Sequence, residues 1–327
     1  MRQYRVIQFG FGSLGMEIFR VLRARRNFEL VGIIDVDETK VGNDAGILAF
    51  NKRVGMKIVN NIDSIRSKPD VAIHATTSSL SEAYSQICSI VKHRINVIST
   101  CEQLVYPHGI NKNLARKLDT FAQKHKVRVL GVGVNPGFVM DSLVLMLTSL
   151  CSKIERIRIE RVVDVTKRRK ALQEKMCMGL TLEQFEEIRR VKGSVGHVGL
   201  AESATMICDA LNTKGAMSTM IRPVIANRMI HAYNATIEPG KVAGIEHRLV
   251  VKRKETKFLE IVLYMFAGAS EFDLIEIEGT PPISMRTNGI AGDQATIALL
   301  LNYVPIVLKA KAGLHTVNRL PIPSINL

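Results

Sequence analysis

Two features of this 327-residue chain carry residues whose types and spacing suit chemistry. The first is Gly10-Phe11-Gly12-Ser13-Leu14-Gly15, a G-x-G-x-x-G spacing. Gly10 permits a tight turn out of a strand, Gly12 lets backbone approach a pyrophosphate, and Gly15 allows close helix packing. Phe11, Ser13 and Leu14 complete the turn, and the free N–H groups that open the next helix attract phosphate oxygens. Asp35, 20 residues past Gly15 at the end of the next apolar run, is placed to accept hydrogen bonds from both adenosine ribose hydroxyls. A carboxylate there repels a 2′-phosphate, so NAD is favoured and NADP remains possible. Asp37 adds a second negative charge, and the first cation after it is Lys40, so no phosphate clamp is evident. FAD uses the same fingerprint, but flavoproteins of this type usually need a larger chain and another glycine motif.

The second feature is Glu102, in the loop Thr100-Cys101-Glu102-Gln103 just past a short apolar run. At a strand end facing a ligand crevice, a carboxylate can hold a substrate ammonium, accept a proton, or activate water. The plainer reading is a surface glutamate capping the next helix. Thr76, Thr77 and Thr100 end neighbouring apolar runs and are expected cofactor contacts; their plainer role is to cap helices.

The elements needed to hold these residues can be read from periodicity. Tyr4–Phe9 is an apolar run, followed by a helical pattern with Leu14, Ile18, Val21 and Leu22 on one face, then a second strand at 29–36. Strands at 71–75, 96–99 and 127–131 alternate with helices near 81–91 and 110–125. This rhythm predicts a doubly wound α/β domain of Rossmann type, with a parallel sheet covered on both faces. After Asn135-Pro136-Gly137 the pattern changes. Strands at 154–165, 241–251, 259–266 and 274–278, with helices near 139–150, 180–191 and 198–211, predict a second α+β domain on an open mixed or antiparallel sheet. Thr280-Pro281-Pro282 is expected to break its last strand. A helix at 291–302 is expected to pack back on the first domain, giving a dinucleotide-binding domain of 1–136 with 291–327 and a substrate and dimerisation domain of 137–290.

Composition excludes several classes. Hydrophobic residues at 46% and charged residues at 23% are ordinary for a globular protein, and no apolar run approaches the ~18 residues of a membrane span. The N-terminus runs directly into a strand, so the mature chain is expected to begin at Met1. Five dispersed cysteines with no C-x-x-C pair argue against a disulfide framework or a zinc site, and no metal is expected. A reducing cytoplasm fits. The net charge of +15 invites nucleic-acid binding, but its patches at 20–26, 156–175 and 252–257 are scattered, aromatics are 5%, and Trp is absent. Stacking platforms are scarce. The plainer reading of those patches is solvated surface; a functional one is a positive field that attracts an anionic cofactor.

Several blocks carry a family resemblance: Thr100-Cys101-Glu102, Gly133-Val134-Asn135-Pro136-Gly137-Phe138-Val139-Met140-Asp141, Arg161-Val162-Val163-Asp164 with Arg168-Arg169, Gly196-His197-Val198-Gly199-Leu200-Ala201-Glu202-Ser203, Gly292-Asp293-Gln294-Ala295-Thr296, and Ala312-Gly313-Leu314-His315-Thr316. In this order they resemble the 2,4-diaminopentanoate dehydrogenase and native amine dehydrogenase family, whose N-terminal domain is similar to dihydrodipicolinate reductase. The resemblance covers nearly the whole chain. It implies NAD(P)-dependent oxidative deamination of 2,4-diaminopentanoate to 2-amino-4-oxopentanoate and ammonia, as in anaerobic ornithine breakdown. It also implies that Glu102 contacts the reacting amine and supports water attack on the imine, and that the protein is a homodimer.

The rest of such a substrate needs polar contacts. Arg161 offers a fork for a carboxylate, and Asn135 and His197 offer hydrogen bonds to either end. Each has a plainer role: Arg161 on a solvated sheet face, His197 as a cap or core residue, Asn135 in an interdomain turn. Asp164, Arg168 and Arg169 are expected to form a structural ion pair, and Asp293 to cap a helix. A diamine is cationic, so a chain at +15 does not steer it by its global field. Two further readings stand beside this one. One is a dehydrogenase or imine reductase for another short amino or oxo acid, although the histidine-rich stretch with a following lysine usual in dihydrodipicolinate reductases is missing. The other is an NAD-sensing regulator, for which no helix-turn-helix unit is seen.

Overall fold

The apolar N-terminal run is strand β1 (Tyr4–Phe9), and the glycine spacing after it opens directly into helix α1 (Ser13–Ala24). Gly15, Ile18, Phe19 and Leu22 form the buried stripe of α1, at the spacing of a single helix face. There follow β2 (Phe28–Ile34), α2 (Ala45–Phe50), β3 (Ile58–Val59), β4 (Val71–His74), α3 (Leu80–Lys92), β5 (Asn96–Ser99), α4 (Glu102–Val105), α5 (Lys112–His125) and β6 (Arg128–Gly131). These strands pair in parallel in the order β6-β5-β4-β1-β2-β3. Adjacent residues point to opposite faces. Ile33 joins Phe11, Phe19, Ala45 and Ile58 on one side, while Ile34 joins Ile7, Leu80, Ile87, Val97, Leu118 and Val129 on the other. Both faces are therefore dry, as a parallel sheet requires. The computed structural model describes residues 3–168, 170–192, 195–232 and 235–325, and the chain divides into one unit of Met1–Phe138 with Gly292–Leu327 and another of Val139–Ala291.

The second unit contains α6 (Ser142–Thr148), β7 (Lys153–Asp164), α7 (Lys170–Lys175), α8 (Leu182–Lys192), α9 (Leu200–Ala210), β8 (Ala216–Ile225), a small hairpin β9 (Ile230–Ala232) and β10 (Ala235–Ile237), β11 (Val242–Arg253), β12 (Thr256–Phe266), β13 (Phe272–Thr280) and β14 (Ile283–Thr287). Its main sheet has the order β14-β13-β7-β12-β11-β8 and is antiparallel except for the β7–β12 pair. Thr280-Pro281-Pro282 ends the strand read at 274–278, but a further strand, β14, follows it. The segment is the turn between β13 and β14, where prolines without N–H donors cost no ladder bonds.

The alternation along β7 separates two environments. Ile157 and Ile159 lie in the core with Leu249, Ile261, Leu263 and Ile275, on the face that α9 covers. The other face carries a charge network. Glu260 is almost fully enclosed, with Arg248 Nη1 at 2.6 Å, Arg156 Nη2 at 3.0 Å and Lys257 Nζ at 3.5 Å from its carboxylate. Burial alone would raise this carboxyl's pKa, but the surrounding cations hold it below its ordinary value.

Arg161 corrects an expectation. It is only 3% exposed, is the direct cross-strand partner of Asp273, and forms an ion pair with it. Its Nη2 donates to the Ile290 carbonyl at 2.5 Å. A guanidinium in such surroundings must be paired, and here its fork holds β7 to β13 and to the segment after β14. Burial lowers its pKa, and the Asp273 charge opposes that shift. Arg168 likewise pairs with Glu271 at 2.6 Å and not with Asp164, whose Oδ1 accepts from Thr166 and from the Gly268 amide. Arg169, which was expected to join that pair, lies outside the described residues.

The chain then returns to the first unit as α10 (Gly292–Asn302), α11 (Val304–Val307) and β15 (Gly313–His315). Arg25 Nη1 on the turn after α1 donates to Asn302 Oδ1 at 3.1 Å, and the Val134 amide donates to Thr296 Oγ1 at 3.1 Å. Strand β15 adds in parallel beside β6, completing a sheet of seven strands. Asp293 sits inside the first turn of α10, not at its cap.

Candidate active site

Because the seven strands are parallel, the loops after β1, β2, β4, β5 and β6 all leave the same edge of the sheet. Strand β1 lies between β2 and β4, so the chain reverses its direction of winding there, where an open α/β sheet forms its ligand crevice. The glycine loop is at that point. Gly10 has φ +101°, and a Cβ on it would lie 2.2 Å from the Ala75 carbonyl oxygen at the end of β4. A Cβ on Gly15 would lie 2.3 Å from the Gly10 oxygen. Gly12 differs from both: its φ of −74° suits any residue, and a Cβ there would meet nothing within 4 Å.

The loop is held by side chains of its own unit. Gln8, fully buried in β1, donates its amide to the Gly10 and Gly15 carbonyls at 2.9 and 2.7 Å. The Asp35 carboxylate, 7% exposed at the end of β2, accepts from the Phe11 amide at 2.5 Å and the Asp37 amide at 2.9 Å. Phe11 offers backbone only, since its ring is buried edge-on against Phe19. Lys40 Nζ lies 2.8 Å from Asp37 Oδ2 and 3.9 Å from Asp35 Oδ2. The hydrogen bond from Lys40, with those from Thr39, lowers the Asp37 carboxyl to about 2. These residues fit a dinucleotide. Open space lies over Gly12, exposed Ser13 begins a 12-residue helix whose first N–H groups have no intrahelical acceptor, and an acceptor for ribose hydroxyls stands at the neighbouring strand end.

The loops after β4 and β5 are joined side by side. Fully buried His74 brings Nδ1 to 2.8 Å from Ser99 Oγ and Nε2 to 2.9 Å from Gln86 Oε1. Ser99 Oγ in turn accepts from the Cys101 amide at 3.1 Å. Thr76 Oγ1 donates to Gln86 Oε1 at 2.8 Å, and Thr77 Oγ1 donates to Glu82 Oε2 at 2.5 Å. Both threonine hydroxyls thus donate to side chains of α3, but neither is its cap, which is Ser79. Thr100 is half-buried, and its amide donates to the His74 carbonyl at 3.0 Å. Glu102 follows as the first residue of α4 and is half-buried. Among the described residues no hydrogen-bond donor or cation is paired with its carboxylate.

Asn135 lies beyond β6 in a turn that two glycines make possible. A Cβ on Gly133 would sit 2.7 Å from the Pro136 oxygen, and one on Gly137, at φ +128°, would sit 2.5 Å from the Gly133 oxygen. In the second unit, His197 is half-buried between Gly196 and α9. Beside it is His247 on β11, which burial, with a smaller contribution from the His197 charge, lowers to about 4. The structure thus brings Gly10 to Gly15, Asp35, Thr76, Thr77, Thr100, Glu102 and Asn135 to one sheet edge, holds His197 in the other unit, and commits Arg161 elsewhere. Sequence reasoning missed Gln8, His74 and Ser99. The available signal was a polar residue inside or ending an otherwise apolar, fully covered strand, where it must find a specific partner.

Comparison with known proteins adds to this geometry. Residues 138–327 match the family described as 2,4-diaminopentanoate dehydrogenase C-terminal domain, and residues 4–130 match that of dihydrodipicolinate reductase, N-terminus. The chain is 29% identical over 342 aligned positions to a 2,4-diaminopentanoate dehydrogenase of Acetoanaerobium sticklandii, covering 99% of this chain and 95% of that protein. An amine dehydrogenase of Streptomyces virginiae is 24% identical over 163 positions, covering 48% of this chain and 45% of that protein. The structure of an amine dehydrogenase from Mycobacterium smegmatis superposes with a TM-score of 0.87 at 22% identity, covering 99% of this chain and 97% of that one.

Proposed function

The chain belongs to the family that carries the 2,4-diaminopentanoate dehydrogenase C-terminal domain, and from that membership we propose that it is an NAD(P)-dependent amine dehydrogenase that deaminates 2,4-diaminopentanoate oxidatively at carbon 4. The observation that carries the reading is Glu102: an unengaged, half-buried carboxylate at the same sheet edge as the glycine loop. NAD(P), when bound, supplies the hydride acceptor. The protein's own work is at the nitrogen and the attacking oxygen. Glu102 takes the proton of the substrate ammonium, so that the free amine lone pair can form the iminium as hydride leaves. It passes that proton to solvent, receives one from the water that adds to the iminium carbon and gives it to the departing nitrogen, then takes up the carbinol hydroxyl proton as the C–N bond breaks. Water supplies the ketone oxygen, and the nitrogen leaves as ammonia. Asn135, in the same unit as Glu102, is assigned a hydrogen bond to a polar end of the substrate; Arg161 is not, because Asp273 holds it.

The direct test offers 2,4-diaminopentanoate, ornithine, lysine and simple 4-amino acids with NAD or NADP and follows the absorbance of the reduced cofactor. Reduction with 2,4-diaminopentanoate, accompanied by equimolar ammonia, is expected. Activity on none of them would refute the assignment.

Cofactor choice should follow Asp35. Its carboxylate stands where a 2′-phosphate would have to lie, and Lys40 is already within 3.9 Å. Asp35→Ser removes the repulsion and leaves Lys40 near the site, so the ratio of kcat/KM for NADP to that for NAD should rise about tenfold to a hundredfold. Affinity for NAD should fall at the same time, because the Phe11 amide loses its acceptor. A ratio that stays constant would show that Asp35 serves the loop alone.

We assign the reaction to ornithine breakdown in a reducing cytoplasm, a reading supported by five cysteines of which none lies in a disulfide. No helix among the described residues is long and apolar enough to cross a membrane. A homodimer is the expected assembly.

A further inference from the structure

His74 is a fully buried ionisable group beside the site, and nothing in the reaction as derived uses it. It ends β4 with no exposed surface. Gln86 Oε1, which also receives the Thr76 hydroxyl, can only accept, so the proton of the imidazole lies on Nε2. Nδ1 then accepts from the Ser99 hydroxyl, and the Ser99 oxygen is left to accept the Cys101 amide. The hydrogen bonds from Gln86 through His74 and Ser99 to the Cys101 amide are consistent with this one tautomer. Burial lowers the imidazole to about 4, so it stays neutral and the arrangement is kept near neutral pH.

The far end of this chain is the residue before Glu102. Helix α4 has only four residues, too few to hold a direction by its own hydrogen bonds. Its orientation comes from its flanks. On one side the Cys101 amide is fastened through Ser99 to His74. On the other, the Gln103 amide donates to the Ser78 carbonyl at 3.2 Å, while Gln103 Oε1 accepts from the Leu80 amide at 2.9 Å. Beneath lies Gly131 of β6, where a Cβ would come within 2.5 Å of the Leu104 backbone. Glu102 is thus gripped at both neighbours, and one of the two grips ends on His74.

We propose that His74 is a positioning residue for Glu102, acting through Ser99 and the Cys101 amide. The proposal rests on the reading of Glu102 as the proton-transfer carboxylate. Sealed from the crevice, His74 touches no reacting atom; it sets where the Glu102 carboxylate stands.

A double-substitution cycle tests this. His74→Leu removes both ring nitrogens and should lower kcat about tenfold to a hundredfold, the order expected when a reacting group is misplaced by a fraction of an ångström. The Kd of NAD should change less than about twofold. In a Glu102→Gln background the same His74→Leu change should cost less than about twofold, because the group it positions no longer transfers protons. His74→Asn keeps an acceptor facing Ser99 and should recover most of the turnover. Ser99→Ala, which removes a single hydroxyl, should reproduce His74→Leu and carries the cycle if the leucine variant does not fold. Equal losses in both backgrounds would make His74 a residue of general stability and overturn the proposal. So would wild-type turnover of the Ser99→Ala and His74→Leu proteins beside a crippled Glu102→Gln, leaving the reading of Glu102 intact. Wild-type turnover of Glu102→Gln would instead overturn that reading, and the proposal with it.

Discussion

Glu102→Gln should bind NAD as the unaltered chain does and turn over 2,4-diaminopentanoate about a hundred to ten thousand times more slowly. The range is the usual contribution of a positioned general acid–base group. The substitution is nearly isosteric, and no hydrogen-bond or ion-pair partner within the described residues is lost with the carboxylate. Stability and cofactor affinity therefore have no reason to move. An amide cannot take the substrate's ammonium proton, cannot receive one from water, and cannot return one to the leaving nitrogen, so each proton transfer in the reaction is affected. Steady-state kinetics with a parallel titration of NAD separates the two quantities. A kcat within twofold of wild type would remove Glu102 from the chemistry.

The second large effect concerns the glycine loop, whose three glycines should fail in different ways. Gly12→Val is expected to keep the fold, since φ at this position is ordinary and the added side chain meets no protein atom. It projects into the open space where a pyrophosphate has to approach backbone, and NAD affinity should fall a hundredfold or more, about 2.7 kcal/mol. Gly10→Ala instead places a Cβ at 2.2 Å from the Ala75 oxygen on a backbone at φ +101°. Gly15→Ala places one at 2.3 Å from the Gly10 oxygen. Both should destabilise the first unit by about 2 kcal/mol or more, through strain and overpacking. Thermal unfolding and cofactor titration of the three proteins distinguish the cases. A Gly12→Val protein that binds NAD normally would mean that no dinucleotide lies over this loop.

Much of the first unit could be read before any coordinates. Each strand of its sheet except the two short pieces β3 and β15 is an apolar run, and each long helix has a clear buried stripe, because a sheet covered on both faces needs near-continuous hydrophobicity. Strands β8 and β14 of the second unit were not legible. The first is largely exposed and the second follows a pair of prolines, so neither carries the pattern of a covered strand. Helix α4 escaped notice for another reason: four residues show no period.

The sequence by itself determined what depends on neighbours along the chain: the glycine turn into α1, the acidic residue closing β2, the loop that carries Glu102, and the change of pattern after Asn135-Pro136-Gly137. Partnerships across the fold were decided only by the tertiary structure. Arg161 had the chemistry of a substrate fork, yet the register of β7 against β13 sets it opposite Asp273 and uses it up. Gln8 reached across to Gly15, and His74 met Ser99 only because β4 and β5 lie side by side. The physical reason is common to all of them. A buried polar group must be paired, but which partner it finds depends on strand order and register, and these are properties of the packed sheet that no local stretch of sequence contains.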